Sequence, residues 1–282
     1  MTYRHILTLS CPDRIGIVAA VAGFLAGREG NILASAQYND PDTARFFMRV
    51  RFEIGHGAEE LRTAFAEEVG VPFAMEWEIV SSDFRPRMLV LVSKFGHCLN
   101  DLLYRHGADL LPAEITAVVS NHRDFERLTA SYEIPFHHLP VNAQTKAAQE
   151  EALASLIAKE RIDLVVLARY MQVLSPGFCA SMPGRIINIH HSFLPSFKGA
   201  APYTQAHLRG VKLIGATAHY VTADLDEGPI IEQDVTRVDH TMSPDELMAA
   251  GRDVECSVLA RAVRYHLERR VLLNGARTVI FR

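Results

Sequence analysis

From Met88 to Ser93 the chain reads Met-Leu-Val-Leu-Val-Ser, an apolar run that fits a strand covered on both faces. Just before it lies Ser81-Ser82-Asp83-Phe84-Arg85-Pro86, a polar, proline-ended stretch of the kind that links domains. The pattern upstream obeys a different rule. There Phe46, Met48, Val50 and Phe52 alternate with Arg45, Phe47, Arg49, Arg51 and Glu53, the period of two of a sheet with one buried and one wetter face. Two burial rules in 282 residues imply two domains, placed at residues 1–83 and 84–282.

The first region opens with a strand from Tyr3 to Leu9. Cys11-Pro12-Asp13 then turns the chain, with Asp13 placed to cap a helix running from near Ile15 to about Arg28. Gly30-Asn31 stops that helix and a strand starts near Ile32. Leu61, Phe65 and Val69 form one stripe of a second helix, and Phe73 to Val80 closes the set as a strand. The order βαββαβ is that of a ferredoxin-like sandwich.

Beyond the linker, strands at Ile115–Ser120, Asp163–Leu167, Arg185–Ile189 and Ile214–Thr222 alternate with helical patterns near Leu99–Arg105, Thr145–Lys159 and Ser175–Ala180. This alternation implies α/β architecture with a doubly wound, mostly parallel, Rossmann-like sheet. Ser175-Pro176 and Ser243-Pro244 each pair a capping serine with a proline at the first helical position. The second opens a mostly helical stretch to about Leu272.

Composition removes several functional classes. With 29 Lys+Arg against 33 Asp+Glu, net −4, the chain lacks the basic signature of a nucleic-acid binder. No apolar run approaches the roughly 18 residues of a spanning helix, and the N-terminus is unlike a signal peptide, so a cytoplasmic protein without membrane attachment is expected. Cys11, Cys98, Cys179 and Cys256 lie far apart, which fits reduced thiols better than a zinc ribbon or a disulfide framework.

Three segments carry chemistry. Alternation along Arg185–His190 puts Asn188 and His190 on one face at the carboxyl end of a strand, where open α/β sheets bind ligands. An amide beside an imidazole suits acyl or formyl chemistry, one holding an oxyanion and the other moving a proton; the same pair also reads as a turn cap and a core histidine. Gly215 to Ile231 reads as strand, acidic loop and strand, with Asp224, Asp226 and Glu227 in the loop. One carboxylate near His190 would serve as a general base, although such residues also populate solvated loops. After Leu167, Ala168-Arg169-Tyr170-Met171 leaves its strand, offering either a slot for a flat heterocycle or a helix-packing surface. The pairs His137-His138 and His190-His191 are placed on opposite strand faces with no third ligand at readable spacing, so no metal is expected.

Asn188-x-His190, the following Ser192-x-Leu194-Pro195 and Asp226 in HYVTADLDEGPI resemble, in type, order and approximate spacing, the 10-formyltetrahydrofolate-using formyltransferases over nearly all of residues 87–275. CPDRIGIV and Gly30-Asn31-Ile32 resemble an ACT domain. Their fusion is the layout of the formyltetrahydrofolate deformylase family. The resemblance implies catalytic Asn188, His190 and Asp226, with the folate as substrate and no cofactor. It also implies a pterin site at Leu167, Arg169, Tyr170, Met171, Val173 and Leu174, completed by Val221, Thr222, Ala223, Asp224 and Gly228. An amino-acid effector such as glycine or methionine would contact Asp13, Arg14, Ile15, Gly16, Gly30, Asn31 and Ile32. ACT pairing would give a homo-oligomer, a dimer or tetramer.

The implied reaction is hydrolysis of 10-formyltetrahydrofolate to tetrahydrofolate and formate for one-carbon and purine metabolism. The alternative is formyl transfer to an amine such as glycinamide ribonucleotide; a nonenzymatic amino-acid sensor is opposed by the intact Asn, His and Asp set. Glycinamide ribonucleotide formyltransferases grip a phosphate with small residues after the first strand of this fold. Here Lys94, Phe95, His97 and Cys98 surround Gly96, so loss of the cradle is expected, with water as the natural acceptor, although Gly96 and Lys94 also suit an anion. One departure from the family pattern is PSFKGAAPYTQAH, where many relatives carry a basic or amide residue near the position of Ala201 and a histidine near that of Thr204.

Overall fold

The computed structural model describes residues 2–194 and 202–282. By internal packing the chain forms two units: residues up to Phe84 with Glu268–Asn274 and Thr278–Arg282, and Arg85–Leu267 with Gly275–Arg277. A boundary at residue 83 places everything beyond it in one domain, whereas Glu268–Asn274 and Thr278–Arg282 pack with the first unit.

The first unit runs β1 (Tyr3–Pro12), α1 (Ile17–Ala26), β2 (Asn31–Asp40), β3 (Arg45–Ile54), α2 (Ala58–Phe65) and β4 (Glu76–Ser81). Its sheet has the order β2-β3-β1-β4, antiparallel throughout. Leu7, Leu9, Val50 and Phe52 meet Val21, Phe24, Leu61 and Phe65 from the helices in a single core. Asp13 does not cap α1. Gly16 holds that position at φ 98 with no side-chain hydrogen bond, a conformation that favours glycine, and the Asp13 carboxylate accepts from Asn39 instead.

The wetter face expected for β3 is covered in part: Arg51 is exposed and Arg45 and Glu53 are half-buried. Phe47 and Arg49 are 0% and 8% exposed, and the C-terminal segment supplies partners to this sheet: Arg49 donates to the carbonyls of Glu268 at 2.8 Å and Arg269 at 3.0 Å, and Asn274 donates to Asp40. Burial pushes Arg49 down to about 10.

The second unit contains β5 (Arg87–Val92), α3 (His97–Gly107), β6 (Glu114–Ser120), α4 (Glu126–Ala130), β7 (Phe136–His138), α5 (Lys146–Lys159) and β8 (Leu164–Leu167). It continues with α6 (Pro176–Ser181), β9 (Ile186–His190), α7 (Pro202–Arg209), β10 (Leu213–Tyr220), β11 (Ile230–Arg237) and α8 (Pro244–Leu267). The sheet order is β11-β10-β9-β8-β5-β6-β7. The five strands from β9 to β7 are parallel and β10 and β11 form an antiparallel edge. Met88–Val92 is fully buried, as the unbroken apolar run requires. Ser175 Oγ accepts from the Phe178 N–H at 3.2 Å. Ser243 and Glu246 exchange hydrogen bonds as a capping box, the Glu246 carboxylate accepting from the Ser243 N–H at 2.7 Å.

The stretch expected to stay helical to Leu272 does not. α8 ends at Leu267, and β12 (Val271–Asn274) pairs with β13 (Arg277–Ile280). Asn274-Gly275, with Gly275 at φ 61, is a strong short-range hairpin signal.

Candidate active site

β9 delivers Asn188 and His190 to one face at its carboxyl end, as alternation demands. Antiparallel β10 sets His219 opposite Asn188, and Asn188 Nδ2 lies 3.2 Å from His219 Nε2. His219 Nδ1 is 2.9 Å from the Tyr220 carbonyl, which only accepts, so that nitrogen carries a proton. In the neutral ring Nε2 then accepts from Asn188; in the protonated ring it donates toward Asp226. His219 was missed in the sequence, where its signal is a lone histidine closing an apolar strand directly before the acidic loop. Thr217 on the same strand holds the turn after His190, donating to the Ser192 carbonyl at 2.9 Å and accepting from the Leu194 N–H at 3.0 Å.

Of the three carboxylates in the β10–β11 loop, Asp226 turns inward, its backbone at φ 57. Its oxygens lie 3.3 Å from His190 Nδ1 and 3.6 Å from His219 Nε2. The His190 and His219 rings facing it outweigh burial and hold the Asp226 carboxyl well below the usual carboxylate range. Gly228 lets the loop return, since a Cβ there would fall 1.8 Å from the Tyr220 carbonyl oxygen.

These groups border a cavity of about 260 Å³. Every residue nominated for the pterin except Gly228 lines it, joined by Asn188, His190, His191, His219 and Asp226. Gly228 serves the loop rather than the wall. Met171 and Val173 form an exposed apolar rim. The Tyr170 hydroxyl accepts from Gln149 at 2.8 Å, and burial pushes it up to about 12, so its ring rather than its oxygen serves the cavity.

His190 and His191 do not point to opposite faces. The strand ends at His190, and the two rings stack at 5.0 Å between centroids and 22° between planes. Arg169, in left-handed backbone at φ 63, places Nη1 2.6 Å from His191 Nδ1.

After β5, the space beside Gly96 is taken by the Phe125 ring, 2.2 Å from where a Cβ would sit. His97 reaches Glu255 at 2.7 Å. Glu255, 1% exposed, also accepts from the Tyr203 hydroxyl at 2.8 Å and lies 3.3 Å from Arg169 Nε. Burial works to raise this carboxyl, but His97, Arg169 and Tyr203 together hold it below its ordinary value. His97, Cys98 and Glu255 are of metal-ligating types and close together. The Glu255 carboxylate is already met by His97, Arg169 and Tyr203, and contact with Cys256 plus burial pushes the Cys98 thiol well up. Pro195 and Ala201 lie outside the described residues, and Thr204 is exposed on α7.

In the first unit the residues nominated for an effector fall into two groups, both solvent-facing. Asp13 to Gly16 precede α1 and Gly30 to Ile32 follow it; ten helical residues separate them by about 15 Å. A single chain does not bring them together.

A formyl transferase family model matches residues 86–263 and an ACT domain model residues 5–70. A formyltetrahydrofolate deformylase of Corynebacterium sp. (strain P-1) is 52% identical over 99% of this chain and 98% of its own length. The chain belongs to the formyltetrahydrofolate deformylase family. The crystal structure of the Burkholderia mallei ATCC 23344 deformylase superposes with a TM-score of 0.96 at 52% identity, over 99% of this chain and all of that one. Glycinamide ribonucleotide transformylase 1 of Symbiobacterium toebii reaches 0.65 at 31% identity, over 70% of this chain and 95% of its own. The deformylase family thus accounts for both units, and the transformylase for 70% of the chain.

Proposed function

We infer that the chain hydrolyses 10-formyltetrahydrofolate to tetrahydrofolate and formate, the formate serving one-carbon and purine metabolism. The observation that carries this is Asp226, kept ionised 3.3 Å from His190 in a cavity that also holds Asn188. With His190 Nδ1 turned to Asp226, its Nε2 is buried and without a partner among the described residues, leaving that nitrogen for substrate. Asp226 takes a proton from water as the water oxygen adds to the formyl carbon. Asn188, and His190 as the imidazolium that carries protons on both Nδ1 and Nε2, donate to the oxygen that becomes negative, and N10 takes a proton as its bond to carbon breaks. The apolar and aromatic wall from Leu167 to Leu174 suits the flat pterin. Water is the acceptor because the loop after β5 is filled by Phe125 and by His97 on Glu255, leaving no cradle for a phosphorylated amine.

Purified protein and 10-formyltetrahydrofolate in plain buffer release formate and tetrahydrofolate together. Transfer of the formyl group to added glycinamide ribonucleotide, with no release in its absence, overturns this reading.

The ACT unit binds glycine or methionine between paired copies, in a homo-oligomer of two or four chains. Its support is the split of the nominated residues and the free edge strand β2, which exposes Ile32, Leu33 and Tyr38. Calorimetric titration with both amino acids, beside sedimentation, tests it: no heat from either, or a monomer, removes it. The cytoplasm is the compartment that suits four free cysteines; among the described residues no helix is long and apolar enough to cross a membrane.

A further inference from the structure

Arg169 Nε, His190 Nε2 and His191 Nε2 are buried nitrogens of residues lining the active-site cavity, and among the described residues none has a hydrogen-bond partner. Arg169 Nε faces Glu255 as an ion pair at 3.3 Å, and His190 Nε2 is used in the reaction above. His191 Nε2 has no such assignment. A buried donor left unpaired is costly, and in a catalytic cavity a reactant is the natural partner.

Which nitrogen of His191 carries the proton follows from its neighbour. A guanidinium only donates, so Arg169 Nη1 at 2.6 Å makes His191 Nδ1 an acceptor, and the proton of the neutral ring sits on Nε2. Burial, with Arg169 and His190 beside it, pushes His191 down to about 4, so the ring is neutral near pH 7. Arg169 is itself held: Glu255 lies against its Nε and is fixed from the far side by His97 at 2.7 Å and Tyr203 at 2.8 Å. The imidazole that results has one orientation, one tautomer and a stacking contact with His190.

We propose that His191 is a further catalytic residue, its Nε2–H donating to the formyl oxygen beside Asn188 and His190, with Arg169 as the positioning residue that sets its tautomer. This rests on the hydrolytic reading. As the water oxygen bonds to the formyl carbon, the carbonyl π pair moves onto oxygen and meets three N–H donors while Asp226 takes the water proton. The pair then returns, the carbon–N10 bond breaks, N10 takes up that proton, and formic acid leaves and ionises. His191 neither gains nor loses a proton, so it works as a fixed dipole.

The test compares His191→Phe, which keeps a flat ring without a donor, with His191→Gln, whose amide nitrogen reaches the Nε2 position. His191→Phe should lower kcat about a hundredfold, the scale of one lost oxyanion donor, with KM changed by less than about threefold, and His191→Gln should recover about tenfold of that loss. A merely structural role would not be rescued by the amide. Nitrogen-15 histidine spectra of the wild type at pH 7 should show His191 neutral with its proton on Nε2, assigned by the signals missing from His191→Gln. The spectra decide the matter even where His191→Phe fails to fold. A His191→Phe enzyme within threefold of wild-type kcat, or a wild-type proton on Nδ1, overturns the proposal and leaves the hydrolase standing. Wild-type protein that releases no formate overturns the hydrolase reading itself.

Discussion

Arg49 in the first unit and Arg169 in the second are equally shielded from water, at 8% and 9% exposure, and their surroundings could hardly differ more. Arg49 sits in regular strand β3 and gives its hydrogens to two backbone carbonyls. Arg169 sits at a positive φ just beyond β8, beside a histidine that must remain neutral, and keeps one nitrogen without a hydrogen bond among the described residues. Burial of a charge is therefore no marker of function. The marker is burial left incomplete, in backbone that the surrounding structure must hold against its preference; Asp226 and Arg169 share that conformation, and Arg49 does not.

The sharpest way to break this contrast is Asp226→Asn. It should lower kcat at least about a thousandfold, the upper range for loss of a positioned acid–base group, with tetrahydrofolate binding by fluorescence unchanged; residual activity within tenfold of wild type would move the base elsewhere. Arg49→Met should leave kcat per folded molecule untouched while lowering stability by about 3 kcal/mol in urea unfolding, since two carbonyls lose a charged donor. A fall in kcat instead would make the buried arginine of the first unit functional after all.

A third measurement separates the two regions by pH. His191 binds its proton less readily folded, at about 4, than at its ordinary 6.5, so acid favours the unfolded chain. The stability present above pH 6.5 should fall as the pH drops to about 4, by at most about 3 kcal/mol. His191→Phe should flatten that slope and Arg49→Met should not. Asp226 adds its own loss only lower, below its ordinary 3.8. The smallest effect expected is for His219→Leu, about tenfold to a hundredfold in kcat, because Asn188 keeps its place on β9 and Asp226 keeps His190, and each loses only one neighbour that orients it.

Much of this was legible in the residues. Strand periodicity yielded the βαββαβ order, the unbroken run at Met88–Val92 marked the centre of the second sheet, and serine–proline pairs marked two helix starts. Asn188 and His190 followed from alternation because both lie inside β9. The failures share one cause, that a local pattern was extended past the point where tertiary partners decide. Alternation was carried one residue too far at His191, where the strand has ended. Asp13 was given a helix that Gly16 begins. Arg49 is buried on the face of β3 expected to be wetter because its acceptors come from residues far along the chain, and the helix expected to reach Leu272 stops at Leu267, with Val271–Asn274 turning back as strand.

Those distant partners bear on how the protein is made. Arg49 waits for the carbonyl of a residue 219 positions later, and Asp40 for an amide 234 positions later. During synthesis from the N-terminus, the second unit has nearly all its residues outside the ribosome while the first, begun earlier, still holds an unanswered cation in its sheet. The unit that starts first is finished last, and a nascent chain that has emerged from the ribosome as far as Leu267 presents an almost whole second unit while the first still lacks its final pieces.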